Sequence, residues 1–202
     1  MKFRVLTTAL FLFSLFFTSV QAESDAEQIV RQSIDQVTSK LIAEKDQIEA
    51  HPDRVYALIQ DLVVPHFDFP IISRLVLGKT AWADASEQQK ESFIREFTTL
   101  LVRTYAKALQ AYSDQEIVIL TTDSDPNSNR VEVRTEVKNS ESGNQTPMNF
   151  RMHISGGQWK VYDLVVDGIS LVNSYRGEYK SIIRKDGFDG LIARMQERNS
   201  SS

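Results

Sequence analysis

Arg130-Val131-Glu132-Val133-Arg134-Thr135-Glu136-Val137 alternates a charged residue with a β-branched one over its whole length. Side chains of a strand point to opposite faces with a period of two, so Val131, Val133, Thr135 and Val137 share one face and the charges share the other. The pattern repeats downstream, where Met148, Phe150, Met152 and Ile154 interleave with Asn149, Arg151 and His153. Gly156-Gly157 is a hairpin signal, and Gln158 to Val166 returns as a further strand. Upstream, Ile117 to Thr121 precedes the turn-rich run Asp123 to Asn129. Together these segments predict a four-stranded antiparallel meander with one apolar and one solvated face.

Helical periodicity flanks the meander on both sides. Ser24-Asp25-Ala26-Glu27 has the form of a capping box, and Val30, Ile34, Val37 and Leu41 follow at helical spacing. Asp53 to Val64, bounded by Pro52 and Pro65, carries Val55, Leu58, Ile59 and Leu62 on one face. After the aromatic connection Pro65-His66-Phe67-Asp68-Phe69-Pro70, a short helix from Ile71 to Leu77 is expected to stop at Gly78. Ser86-Glu87-Gln88-Gln89, a second capping box, opens the longest helix, reaching Tyr112, with Phe93, Phe97, Leu100, Leu101, Thr104 and Ala108 inward. Beyond the sheet, helices are expected from Ser170 to Arg184 and from Phe188 to Arg198, then a disordered tail, Asn199 to Ser202. Helices, an antiparallel sheet and helices again make one α+β domain over residues 23–198.

The first 22 residues read as an export signal. Lys2 and Arg4 precede an uncharged apolar run from Val5 to Val20, and Val20-Gln21-Ala22 presents small residues where a signal peptidase cuts. The run is shorter than the roughly 20 apolar residues of a spanning helix and meets acidic sequence at once, which argues against a retained anchor. Without Lys2 and Arg4 the formal net charge goes from −4 to about −6, which speaks against nucleic acid as a partner. The chain has no cysteine, so an exported domain must be held by its own core, as suits a bacterial periplasm.

Few groups converge for chemistry. His66 and Asp68 fit either a base with its orienter or a tie that holds a loop. Asp163 and Asp167 fit either paired carboxylates or a strand-end charge followed by a turn. Ser170 lacks the glycines of a nucleophile elbow and suits a helix N-cap. No metal-ligand spacing occurs, and no cofactor is called for. Arg176, Lys180 and Arg184, each four residues apart, form a cationic stripe if the segment is helical; it suits phosphate groups, an acidic partner or simple solvation.

Three segments carry a family resemblance: Val76-Leu77-Gly78-Lys79 with Trp82; Ser86-x-x-Gln89 running through Phe93 and Phe97 to Leu109; and Val165 to Arg176, followed by Gly187-x-Asp189-Gly190-Leu191-Ile192. Together, in this order, they resemble the MlaC-type periplasmic phospholipid-binding proteins, the toluene-tolerance auxiliary family. The resemblance implies a phospholipid pocket between a curved sheet and packed helices, in a nuclear-transport-factor-like cone. It also implies a monomeric carrier that exchanges lipid between an outer-membrane lipoprotein–porin complex and an inner-membrane ABC transporter with an MCE-domain ring, maintaining outer-membrane asymmetry. Gly177 and Met195 depart from the family pattern, and Gly177 weakens the helix on which the cationic stripe depends.

With periodicity giving direction and the resemblance giving meaning, Phe93, Phe97, Leu101, Tyr105, Val133, Phe150, Met152 and Val161 are the expected tail contacts. Arg176 and Lys180 are the expected headgroup or partner contacts. Two rivals share such a shell: a lipoprotein-tail carrier or periplasmic chaperone, and an isomerase- or dehydratase-type enzyme built on Tyr105, Tyr162 and Asp163.

Overall fold

The computed structural model describes residues 25–110, 115–124, 128–139 and 142–200. The expected signal segment, Ser24 of the first capping box, the end of the long helix at Tyr112 and part of the Asp123–Asn129 turn lie outside them. The chain runs α1 (Asp25–Ala43), α2 (Lys45–Ala50), α3 (Arg54–Leu62), a 3-10 turn (Val64–His66), α4 (Phe69–Asp84) and α5 (Glu87–Gln110). It continues through β1 (Gln115–Ser124), β2 (Arg130–Asn139), β3 (Gln145–Ser155), β4 (Gln158–Val166) and β5 (Ile169–Ser170) to α6 (Leu171–Ser200).

The sheet is an antiparallel meander in the order β1-β2-β3-β4-β5. The expected four strands are present, and β5 adds a fifth that is too short to leave a periodic trace. Val131, Val133 and Thr135 are buried while Arg130 and Arg134 are exposed, as the alternation requires. Two register shifts, at Leu120 in β1 and at Tyr162 in β4, add a residue against the facing strand. Such bulges bend a strand and raise its twist, which curves the sheet around what it covers.

Local chemistry fixes the helix ends. At the start of α5 the Ser86 amide donates to Gln89 Oε1 at 2.9 Å and the Gln89 amide donates back to Ser86 Oγ at 3.2 Å, a completed capping box. Asp68 caps α4 by accepting from the Ile71 amide at 3.1 Å, and Ser170 caps α6 by accepting from the Asn173 amide at 3.1 Å. Gly78 (φ 76°, ψ 169°) breaks α4 as expected, although one more helical stretch follows it. Gly187 (φ 74°, ψ 178°) divides α6 where two helices were expected. Both glycines hold a conformation that is almost closed to residues with a Cβ.

The C-terminal tail departs from expectation. Asn199 is buried in the last turn of α6, and its amide donates to the Glu96 carbonyl and carboxylate, each at 3.0 Å. Ser200 is helical too, while Ser201 and Ser202 lie outside the described residues. Thr104, expected inward on α5, is exposed.

Apolar burial falls into three clusters. One joins α4, α5 and α6 around Phe93, Phe97 and Tyr179. A second joins the end of α1 with α2, α3 and α5 around Leu41, Ile59 and Val102. The third seats the start of α1 on the sheet, Ala26 and Val30 against Val131, Val133, Met152 and Val161.

Candidate functional site

The three clusters leave a gap where they meet. It is an apolar cavity of about 360 Å³, within the range of ligand pockets. Each cluster supplies part of the wall: Val30, Met152 and Val161 from the third, Leu41, Ile59 and Val102 from the second, Phe69, Ile72, Leu101 and Val172 from the first. α1 forms one long side with Ile29, Ile34, Val37 and Leu41 at helical spacing. The concave sheet face forms the other with Ile117, Val137, Met148, Phe150 and Met152.

Of the eight expected tail contacts, Leu101, Tyr105, Phe150, Met152 and Val161 line this cavity. Phe93, Phe97 and Val133 do not, and each is fully buried. Phe93 and Phe97 stack on one another at 5.4 Å and meet the edge of Tyr179, each at 5.8 Å, so α6 has already filled their side of α5. Val133 belongs to the cluster beneath the start of α1. Along α5 the four-residue steps Phe93, Phe97, Leu101, Tyr105 therefore pass from packed core to cavity wall.

The sequence named no lipid contact on α1, on α3 or in the aromatic connection, yet Ile34, Val37, Ile59, Val64, Phe67 and Phe69 all face the cavity. Their signal was an apolar helical face and a cluster of rings, which looks the same whether it meets protein or a ligand. The connection is pinned to the sheet: Phe67 forms a parallel bridge with Val161, and the Asp68 amide donates to the Val161 carbonyl at 2.9 Å.

Two carboxylates near the wall, Asp163 and Asp68, are engaged. The buried Asp163 carboxylate accepts from Ser170 Oγ at 2.7 Å, from the Val172 amide at 3.1 Å and from Arg151 Nη1 at 3.2 Å. It ties β3, β4 and the start of α6 together. Asp167 sits in the following turn at φ 50°. Asp68 does not orient His66; its Oδ2 lies 2.9 Å from Nε2 of His153, a residue that the strand alternation placed opposite the apolar face. His66 lines the cavity, and burial, reinforced by the charge of Lys160, lowers its pKa and favours the neutral ring. Burial raises the Tyr105 pKa and pushes Tyr175 up to about 12, with the neighbouring Tyr105 adding to the latter. Among the described residues no lysine or arginine lines the cavity. Such a wall offers apolar contact and little to grip a phosphate.

Neither expected headgroup residue is at the wall. Arg176 Nε donates to the Leu75 carbonyl at 2.7 Å, joining α6 to α4, and Lys180 is exposed on α6.

Comparison with known proteins gives a consistent pattern. The family model described as MlaC protein matches residues 31–197. The intermembrane phospholipid transport system binding protein MlaC of Haemophilus influenzae is 28% identical over 98% of this chain and 92% of its own length. The toluene tolerance protein ttg2D of Pseudomonas putida is 25% identical over 92% of this chain and 84% of its own. Among solved structures, a phospholipid-binding protein from Ralstonia solanacearum in complex with a phospholipid matches with a TM-score of 0.80 and 28% identity, covering 88% of this chain and 98% of that one.

Proposed function

The chain belongs to the MlaC family, and from that premise we propose that it is a periplasmic carrier that buries phospholipid acyl chains and ferries them between the two membranes. The observation that carries the reading is the cavity: predominantly apolar, walled by α1 and a concave sheet, and free of lysine and arginine among the described residues. Transfer of hydrocarbon from water contributes roughly 0.8 kcal/mol per CH₂, so a lipid with two long chains scarcely leaves a bilayer unaided. A carrier offsets that cost with a comparable apolar surface. It also needs few fixed polar contacts, so that the lipid can leave again. Asp163 and Asp68 fit this division, since their carboxylates hold the wall's elements in place.

The expected partners follow from the same reading: an outer-membrane lipoprotein–porin complex on one side and an inner-membrane ABC transporter with an MCE-domain ring on the other. The exchange is physical, and the protein acts as a monomer without cofactor or catalytic group. A transfer assay tests it. The purified protein should speed the movement of a fluorescent phospholipid from donor to acceptor vesicles in proportion to its concentration. A rate indistinguishable from spontaneous exchange refutes the proposal.

A further inference from the structure

The Arg176–Leu75 hydrogen bond places the first turns of α6 beside the middle of α4. Within one turn of that contact on the two helices, the chain carries the cations Arg74, Lys79, Arg176 and Lys180 and a single carboxylate, Glu178. Arg184 extends the row by another turn. Lys180 and Arg184 lie about 40° and 80° around the helix from Arg176, whereas Glu178 lies about 200° away. Arg74, Lys79, Lys180 and Arg184 are all exposed.

Eight other cations are neutralised locally. Arg31, Lys40, Arg54, Lys90, Arg95, Arg134, Arg151 and Arg194 each lie within 4 Å of a carboxylate. Arg74, Lys79, Lys180 and Arg184 have no such partner among the described residues. In a protein of negative net charge, this concentrates positive potential on one face.

The same end of α6 adjoins the cavity. Leu171 and Val172 line it, and Val166 is in register with the wall residue Met148. Ile169 pairs with Val166, and these two side chains are 65% and 37% exposed, an apolar lip that continues the cavity surface into solvent. Lys180 stands nine residues into α6, about 14 Å along the axis from Leu171.

We infer that the α4–α6 face docks the protein on an anionic lipid surface, with Arg74, Lys79, Lys180 and Arg184 against the headgroups and the Val166–Ile169 lip close to the same surface. Long cations without fixed partners suit mobile phosphates, which need no preformed geometry. The acidic remainder of the molecule is repelled, so attraction also orients the approach. The inference concerns the outer face and does not depend on what fills the cavity.

The test is cosedimentation of the exported, purified protein with vesicles of phosphatidylcholine alone and of phosphatidylcholine mixed with phosphatidylglycerol. Lys79→Gln/Lys180→Gln is compared with Lys45→Gln/Lys138→Gln, which removes equal charge elsewhere. Bound lipid is quantified for each protein beforehand, so a failure to dock is separable from an empty cavity. The wild-type protein should bind only the anionic vesicles and release in high salt. Affinity should fall about fivefold per cation removed from the face, or roughly 25-fold for the pair, with little change in the control. No binding to anionic vesicles, equal losses in both variants, or full binding by Lys79→Gln/Lys180→Gln overturns the inference. Binding only to an acidic protein partner overturns it as well.

Discussion

Val133 and Phe150 face each other across β2 and β3, yet a carboxylate placed at each should have opposite consequences. Phe150 lines the cavity and is half-buried. Complete loss of a buried Phe costs about 3–5 kcal/mol, so Phe150→Asp at a half-buried site should cost the empty protein about 2 kcal/mol. Water in the cavity can solvate the new carboxylate. An acyl chain beside it cannot, and stranding an unpaired charge costs several kcal/mol. At 1.4 kcal/mol per tenfold, lipid occupancy should fall on the order of 100-fold or more. Val133 has no exposed surface and is covered by the start of α1. Val133→Asp must bury the charge or open that cluster, at a cost comparable with the 5–15 kcal/mol that holds a typical domain together. Circular-dichroism melting and lipid extraction separate the two outcomes. Phe150→Asp should fold and be empty, while Val133→Asp should fail to fold cooperatively. A lipid-loaded Phe150→Asp protein, or a well-folded Val133→Asp protein, refutes the division between wall and core.

Further outcomes follow from particular side chains. Gly187→Ala puts a Cβ on a backbone at φ 74° with nothing within 4 Å to clash, so its cost is backbone strain of about 1–3 kcal/mol, seen as a lower Tm. Gly177→Ala, in open space on α6 without a positive φ, should instead raise stability by about 1 kcal/mol. Asp68→Ala removes the α4 cap and the His153 contact together and should lower stability by about 1–2 kcal/mol in chemical denaturation. His66, with its folded-state pKa lowered by burial, takes up a proton more readily when unfolded. Its contribution is therefore present above about pH 6.5 and lost as pH falls towards the folded value. His66→Gln should flatten the decline of Tm between neutral and mildly acidic pH, and an unchanged slope counts against this assignment.

The fold was legible where a local rule is strong. The Ser86–Gln89 capping box, the glycine break at Gly187 and the alternation in β2 each state their geometry in adjacent residues. A two-residue strand such as β5 has no period to read, and the last turn of α6 is held by a contact to Glu96 that no local pattern announces. The site was legible only as a direction. Phe97 and Leu101 stand one turn apart on one face of α5, but the rings of α6 cover the first and leave the second open to the cavity. Where a partner element ends is a tertiary fact. The same applies to Arg176, whose spacing suggested a free cation while its guanidinium is held by the Leu75 carbonyl.

Native mass spectrometry of the protein purified without detergent from the periplasm tests the carrier reading most directly. The account predicts a population heavier than the polypeptide by the mass of a phospholipid, converted to the bare mass by organic extraction and restored by incubation with phospholipid vesicles. A protein that emerges bare, and stays bare after exposure to vesicles, contradicts it.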